Sequence, residues 1–235
     1  MADKVAEFYD RLMFPSRTSD TRYLELLPQR SGERVADFGC GQSLFYDALR
    51  DYIPRPTFLD ISPNALGTID YGWRLCADLR MLPIRDDSYD RVLCIGVIHH
   101  IPDRSAIYRE MARVIAPGGR LFIGVYSPRS LQTRLKRAHE AIPFRGWQAL
   151  VHVVTAGLIH FRYVLKGTLL PLSDVHRRTV DFLEVPFVHY AEAEDYATEA
   201  AAAGLRLVGT RRISSMNILE FQHDAENIDA GTRRT

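Results

Sequence analysis

The sequence predicts an α/β fold: a doubly wound, mostly parallel seven-stranded sheet with an antiparallel edge strand and a helical lid insertion. The first observation is that apolar strand-like runs alternate with amphipathic helical segments from residue 34 to residue 126. This pattern is typical of a parallel sheet covered on both faces. The second observation is that the alternation stops over residues 127–190. The third is that two strand-like segments near the C-terminus lie close enough to pair as a hairpin.

Sequence periodicity places the elements of the first half of the chain. Two initial helices are predicted at 3–13 and 19–27, the second ending before Pro28. Five buried strands are predicted at 34–39, 57–61, 74–78, 90–100 and 120–126. The helices between them are predicted at 43–52, 63–70 and 105–115, the last stopping at Pro117-Gly118-Gly119.

The second half of the chain contains the insertion and the end of the sheet. An alanine-rich helix is predicted at 192–204, followed by strands at 205–213 and 216–224. The polar segment after them is predicted to be disordered. We therefore divide the chain into a core, a lid, the end of the core and a tail, with bounds 1–126, 127–190, 191–224 and 225–235.

Composition points to one sizeable core in a reducing environment. The chain has 235 residues, is 46% hydrophobic and carries a formal net charge of +1, so no global field favours nucleic acid or membrane. The cysteines are Cys40, Cys76 and Cys94; none forms a CxxC pair, and all three lie in segments predicted to be core. A disulfide framework or a zinc site is not expected, and the predicted location is cytoplasmic.

Two segments bear on membranes. The N-terminal residues lack the apolar stretch of a signal peptide. Residues 149–170 are long enough to span a bilayer, but they carry too many polar groups for a transmembrane prediction: His152, His160, Arg162 and Lys166.

The turn after the first strand has only two glycines, Gly39 and Gly41, and Leu44 occupies the place of the third glycine of a dinucleotide site. The third glycine in such sites allows a helix to pack against the strand, and the second allows backbone to approach a pyrophosphate. The turn therefore permits close approach of a ligand without a pyrophosphate cradle. The alternative is a pair of ordinary turn glycines.

Three acids accompany this turn, two at strand ends and one inside a strand. Asp60 ends the second strand and can accept hydrogen bonds from both hydroxyls of a ribose, or cap the helix that follows. Asp78 and the apolar Leu79 suit the amino group and faces of an adenine, the alternative for Asp78 being a surface turn. Asp37 lies inside the first strand, where a carboxylate is costly unless it meets donors or a cation. These features describe a nucleoside with a cationic, amino-acid-like tail, as in S-adenosylmethionine.

Four segments resemble the class I S-adenosylmethionine-dependent methyltransferases in order and spacing: VADFGCGQS, FLDIS, CADLRMLPIRDDSYDRVLCIGVIHHIPD and MARVIAPGGRLFIGVY. The resemblance covers about residues 30–126, and the last helix and hairpin are similar to the end of the family's fold. It implies an enzyme, with S-adenosylmethionine as its cofactor.

The resemblance also assigns roles to residues. It implies that the Gly39-Cys40-Gly41 turn passes along the methionine and ribose. Further implied cofactor contacts are Asp60 to the ribose, Ile61, Asp78 and Leu79 around the adenine, Gly96 and Val97 at the methionine amine, Asp37 at the tail, and Tyr9 in a helix that closes the pocket.

His99 and His100 follow the fourth strand, near the expected methyl group. Histidine titrates in a range useful to a general base, which is needed only when the acceptor must lose a proton. The alternative is that both residues cap the strand end or line the pocket. No metal site is expected, because neighbouring side chains diverge and no carboxylate partner is obvious.

The acceptor is predicted to be a small or lipid-like molecule selected by the lid. Tyr126, His189 and Tyr190 are the candidate substrate contacts, with ordinary packing as the alternative for the last two. Between Arg129 and Arg178 the lid has nine Lys or Arg against two acids, so contact with a membrane surface or RNA phosphates is a further expectation. The competing functions are methylation of a tRNA wobble uridine and a catalytically inactive binding protein.

Overall fold

A seven-stranded sheet forms the centre of the computed structural model, which describes residues 2–12, 21–28, 32–141, 145–165, 167 and 169–223. In chain order the strands are β1 Val35–Phe38, β2 Thr57–Asp60, β3 Trp73–Cys76, β4 Tyr89–Ile95, β5 Ile115–Tyr126, β6 Leu205–Ile213 and β7 Met216–His223. Their spatial order is β3-β2-β1-β4-β5-β7-β6. The predicted fold class is confirmed.

The antiparallel strand of this sheet is β7, which lies between β5 and the edge strand β6. It pairs antiparallel with both neighbours, from Arg120↔Gln222 to Tyr126↔Met216 on the β5 side. The tight connection at Ser214, which has a φ of 56°, folds β7 back along β6. The second strand of the hairpin, β7, therefore lies inside the sheet, and the first strand, β6, forms its edge.

Helices surround the sheet and cover the end where its parallel strands finish. The α-helices are α1 Ala2–Leu12, α2 Tyr46–Tyr52, α3 Pro63–Leu66, α4 Ser105–Val114, α5 Leu131–Ala141, α6 Arg145–Val164, α7 Leu172–Glu184 and α8 Ala193–Ala201. Two 3₁₀ helices span Thr21–Leu26 and Ile98–His100. Helices α5, α6 and α7 occupy the predicted insertion, and the predicted tail 225–235 lies outside the described residues.

Alternation along the short strands supplies a core to each face of the sheet. On β1, Ala36 and Phe38 pack into the cluster that contains Tyr108 of α4 and Tyr196 of α8. Val35 points the other way, into the cluster around α2 and α3. Because successive strand residues face opposite sides, Asp37 shares the side of Val35 and is buried there. The two apolar layers thus hold β1 in position, and with it the glycine turn that follows this strand.

Several predicted boundaries need correction. Strand β4 ends at Ile95 and not at His100, because Gly96 turns the chain with a φ of 84°. Strand β5 begins at Ile115, directly after α4, and continues through the Pro-Gly-Gly segment with a register shift against β4. Helix α3 is a single turn that ends at Leu66, so the predicted helix at 63–70 is too long.

The prediction that all three cysteines lie in the core is wrong for Cys76. Cys40 and Cys94 are buried, but Cys76 is exposed. Its strand, β3, is the edge of the sheet and pairs with β2 alone, and most of its residues are exposed. A short apolar run does not distinguish an edge strand from a central one.

Candidate active site

A cavity of about 240 Å³ lies at the carboxyl ends of β1, β2 and β4, where the strand order reverses beside β1. Open α/β sheets bind ligands at such a position. Helix α1 covers the cavity because Asp10 accepts hydrogen bonds from Ser62 Oγ at 2.5 Å and from Asn64 Nδ2 at 2.8 Å. Helix α7 contributes Asp181 to the same wall.

The glycine turn forms the floor next to β1. Gly39 and Gly41 have φ angles of 64° and 54°, which side-chain-bearing residues rarely adopt. A Cβ atom on Gly39 would collide with the Val97 side chain. Cys40 N donates to the Leu59 carbonyl at 3.0 Å, which ties the turn to β2. The backbone of the turn is therefore held open to the cavity.

Asp60 joins the second strand to that turn. Its carboxylate accepts hydrogen bonds from Gly41 N at 2.7 Å and from Ser62 N at 2.8 Å. Burial raises its pKa, and these backbone donors oppose the rise. Ser62, and not Asp60, caps α3, since its Oγ accepts from Ala65 N at 3.0 Å. Asp60 retains lone pairs for a ligand, because a carboxylate has about four acceptor sites.

Asp37 is a buried carboxyl group beneath the same turn. It accepts a hydrogen bond from Ser43 Oγ at 2.7 Å. Burial raises its pKa to about 7, and the nearby Asp60 charge adds to the rise. Within the described part of the chain, Asp37 has no ion pair. A cationic ligand group in the cavity would supply the missing partner.

The far end of the cavity has apolar surfaces and a paired acid. Ile61 and Leu79 both line the cavity; the Ile61 side chain is 42% exposed, whereas Leu79 is buried. Asp78 accepts hydrogen bonds from the Arg80 side chain at 3.0 Å, and this contact lowers the Asp78 pKa. Asp78 is therefore an ionised group that is already neutralised by its neighbour.

All eleven residues predicted to bind the cofactor line this one cavity. They are Tyr9, Asp37, Gly39, Cys40, Gly41, Asp60, Ile61, Asp78, Leu79, Gly96 and Val97. The structure brings them together although they come from α1 and from the ends of four different strands. Their contacts with a ligand stay a prediction.

The two neighbouring histidines have different positions. His100 lines the cavity, and its Nδ1 lies 2.8 Å from the Phe187 carbonyl oxygen. Burial lowers the His100 pKa to about 4. His99 is 0% exposed, is not among the cavity-lining residues, and packs its ring against those of His100 and Tyr126. Although the two rings are in contact, only His100 lines the cavity.

The predicted substrate contacts also separate. Tyr126 lines the cavity, but His189 and Tyr190 are not among its lining residues. The His189 backbone N donates to the His99 carbonyl at 2.6 Å, so this segment supports the 3₁₀ turn from outside. Tyr190 lines a small adjoining cavity behind Asp181 and stacks under Arg137. These contacts of His189 and Tyr190 correspond to ordinary packing, which was the alternative to a substrate contact.

Sequence reasoning missed Asp181 and Tyr23, which both line the main cavity. Burial raises the Asp181 pKa to about 6, and the neighbouring Tyr9 hydroxyl opposes the rise. The available signal was a lone acid in the apolar run Val180-Asp181-Phe182-Leu183 of α7. Tyr23 gave no comparable signal, because an aromatic residue in a short helix is usually core.

Comparisons with known sequences agree with this geometry. Residues 36–123 match the family described as Methyltransferase domain. The ubiquinone biosynthesis O-methyltransferase of Xanthomonas oryzae pv. oryzae is 26% identical over 145 residues, covering 58% of this chain and 58% of that protein. The 27-O-demethylrifamycin SV methyltransferase of Amycolatopsis mediterranei is 33% identical over 136 residues, 51% of this chain and 49% of that protein. The matched stretches thus span about half the length of these curated relatives.

A solved structure is similar over nearly the whole chain. A Haloferax volcanii protein, described as a putative methyltransferase in complex with the Trm112 methyltransferase activator, superposes with a TM-score of 0.61 at 18% identity. The likeness covers 94% of this chain and 96% of that one, and it shows the shared fold. Separately, none of the helices in the described part of the chain combines the length and the hydropathy that a bilayer-spanning helix needs.

Proposed function

Because the chain belongs to the class I S-adenosylmethionine-dependent methyltransferases, as its sequence predicts, we propose that it is an enzyme that methylates a small organic acceptor. S-adenosylmethionine, the cofactor of this family, supplies an activated methyl group when bound. The curated relatives are named for ubiquinone biosynthesis O-methylation and for methylation of a demethylrifamycin, which supports a small-molecule acceptor and an oxygen as the methylated atom.

The observation that carries the proposal is the pair of buried carboxyl groups beside the glycine turn. Asp37 and Asp60 both have pKa values raised by burial; Asp37 lies near the end of β1, and Asp60 ends the adjacent strand β2. Buried acids of this kind are stabilised by a cation or by hydrogen-bond donors. A ligand with a cationic tail and ribose hydroxyls supplies both, and the open backbone of Gly39 allows it to approach.

The residues of the chain act mainly by position. Asp60 orients the ribose, Asp37 attracts the charged tail, and Ile61 with Leu79 encloses the adenine. Tyr126 and Tyr9 form the acceptor side of the cavity, where they exclude water. Methyl transfer is an in-line displacement, so alignment of the acceptor atom and removal of its water account for much of the rate.

Of the histidine pair, His100 is the residue proposed to contact the acceptor. It lines the cavity with a neutral ring, since its pKa is lowered to about 4. A ring with so low a pKa is a weak base at neutral pH, and its Nε2 lone pair orients the Tyr9 hydroxyl, 2.9 Å away, at the side of the acceptor. His99 acts behind it through packing.

The insertion 127–190 is proposed to close the site and select the acceptor. Helix α7 places Asp181 in the cavity wall, and the Lys136 ammonium of α5 holds the end of α7 by donating to the Leu183 and Val185 carbonyls, both at 3.2 Å. These contacts connect the insertion to the cavity directly. Acceptor choice is therefore expected to follow the sequence of α5 and α7.

Helix α6 is proposed to meet a membrane surface. Its outer face exposes large apolar side chains next to basic ones: Val153 and Phe161 are 70% and 60% exposed. An amphipathic helix of this kind suits a bilayer surface that carries a lipid-like acceptor. RNA phosphates, the other expectation for this segment, would favour a polar face over an apolar one.

The test measures binding and transfer separately. Calorimetry should detect S-adenosylmethionine binding to the purified protein and much weaker binding of NAD. Radiolabelled S-adenosylmethionine should then transfer label to members of a panel of phenols and quinols, and not to bulk tRNA. Equal affinity for NAD would refute the cofactor assignment. Label appearing only in tRNA would support the RNA alternative, and cofactor binding without any transfer would support an inactive binding protein.

A further inference from the structure

Three polar side chains from distant parts of the chain meet on the acceptor side of the cavity. They are Tyr9 of α1, His100 of the 3₁₀ turn and Asp181 of α7. The Tyr9 hydroxyl lies 2.9 Å from His100 Nε2, and the Asp181 carboxyl group lies next to the same hydroxyl. All three side chains line the cavity; His100 and Asp181 are buried, and Tyr9 is half-buried.

The hydrogen bonds fix which atom of His100 carries the proton. The Phe187 carbonyl can only accept, so His100 Nδ1 must be the donor in that 2.8 Å contact. The neutral ring then has a lone pair on Nε2, which accepts from the Tyr9 hydroxyl. His100 consequently orients Tyr9 and has no free lone pair for an acceptor.

Asp181 is the member of this group that can take up a proton. Tyr9 has one hydroxyl proton for two acceptors, so donating it to His100 leaves Asp181 short of a donor. The charged or titratable groups that face Asp181 come from each surrounding element: Tyr9 from α1, Tyr126 from β5, Lys136 from α5 and Arg178 from α7. The two cations favour its ionised form.

The walls of the cavity that Asp181 lines suit a flat ring. Tyr9, Tyr23 and Tyr126 line the cavity, together with Ile95 and Met216. Aromatic and thioether side chains pack well against an aromatic ligand. An apolar ring bearing one hydroxyl would find both a matching wall and a hydrogen-bond acceptor here.

We propose that Asp181 is the general base that accepts the proton of a phenolic acceptor, with Tyr9, which His100 orients, packing beside that acceptor. The inference rests on the proposed methyl transfer. The acceptor O–H bond breaks and its proton bonds to an Asp181 oxygen. The phenolic oxygen uses the released electron pair to bond to the methyl carbon, and the sulfur takes the electrons of the broken C–S bond and becomes a neutral thioether.

A test that needs no knowledge of the natural acceptor uses 4-nitrophenol, whose phenolate form is yellow. The probe is titrated with pH in the presence of protein saturated with S-adenosylhomocysteine. The wild type should keep the bound probe as the colourless phenol, because the Asp181 carboxylate accepts its proton in a hydrogen bond and repels the phenolate. Asp181→Asn should lower the midpoint of the bound probe by about 1 to 2 pH units. Asp174→Asn, an acid at the start of the same helix, is the matched control and should not move it.

The outcomes separate this inference from the function on which it rests. If S-adenosylhomocysteine does not bind the wild type, the proposed function fails. If it binds but 4-nitrophenol does not, the phenolic acceptor is wrong. If the probe binds with the same midpoint in the wild type and in Asp181→Asn, the base assignment is wrong. Should Asp181→Asn lose S-adenosylhomocysteine binding, Asp181→Ser carries the same expectation and the same refutation.

Discussion

The Tyr9 hydroxyl lies 2.9 Å from His100 Nε2, although 91 positions separate the two residues in the chain. This contact fastens the N-terminal helix over the end of β4. Their rings are also close, with centroids 5.3 Å apart. The first helix is thus part of the cavity wall, which makes its removal a change to the active site as well as to the fold.

The ribose assignment predicts a large effect of Asp60→Ala on cofactor binding. Loss of charge-assisted hydrogen bonds should weaken S-adenosylmethionine binding by about 1.5 to 3 kcal/mol, or roughly 10- to 150-fold. Calorimetry measures the change, with the exposed Asp51→Ala of α2 as the control. Unchanged affinity in Asp60→Ala would remove the ribose role.

The pH dependence of cofactor binding should report Asp37. Because the Asp37 pKa is about 7, a cationic ligand competes below neutral pH with the proton that neutralises this carboxylate. Affinity should therefore rise about tenfold between pH 6 and pH 8 in the wild type. Asp37→Asn should bind more weakly at pH 8 and should lack this rise. A slope that is equal in both proteins would place the titrating group elsewhere.

The same residue should make the ligand-free protein less stable as pH rises. A carboxyl group whose pKa is raised on folding contributes stability below its unfolded pKa, near 4, and this contribution is lost as pH rises through about 7. Urea unfolding should show that the free energy of unfolding of Asp37→Asn, relative to that of the wild type, increases over this pH window by up to about 4 kcal/mol. If the difference between the two proteins is constant from pH 4 to pH 8, Asp37 is ionised in the folded protein throughout.

The histidines should differ in their effect on turnover. His100→Phe removes the acceptor of the Tyr9 hydroxyl and should lower turnover about 10²-fold, with cofactor affinity nearly unchanged. His99→Phe keeps the ring contacts with His100 and Tyr126 and should stay within about threefold of wild type. Rates are measured with an acceptor identified from the phenol panel. Equal losses in the two variants would show that the positions act alike.

The apolar face of α6 should bind vesicles. Cosedimentation with phosphatidylglycerol–phosphatidylcholine vesicles should fall about tenfold in Val153→Glu/Phe161→Glu, because both exposed side chains would lose their place in the bilayer surface. Tyr52→Glu is the control, since Tyr52 is also exposed and lies on α2. Wild-type protein that stays in the supernatant at low salt would contradict the membrane proposal.

The sequence by itself determined the sheet, the glycine turn and the cavity wall that the strand ends form. These depend on local patterns: an apolar strand ending at Gly39, and acids such as Asp60 at strand ends. In a parallel sheet all strand ends meet at one edge, so the register of each motif with its own strand is enough to place it. That is why residues from five segments were predicted to converge, and why they do so in the structure.

Only the tertiary structure decided the acceptor side. Asp181 reaches the cavity because α7 packs against α5 and α6, and no pattern within α7 specifies the strand end that it will face. The different environments of the adjacent His99 and His100 have a related cause. Strand β4 ends early at Gly96 and a 3₁₀ turn follows, so that His99 packs in the interior and His100 lines the cavity. Side-chain direction after a strand depends on the turn geometry and on the segment packed behind it, here residues 187–189. Contacts between distant elements are set by packing of the whole chain, and a single sequence does not state them.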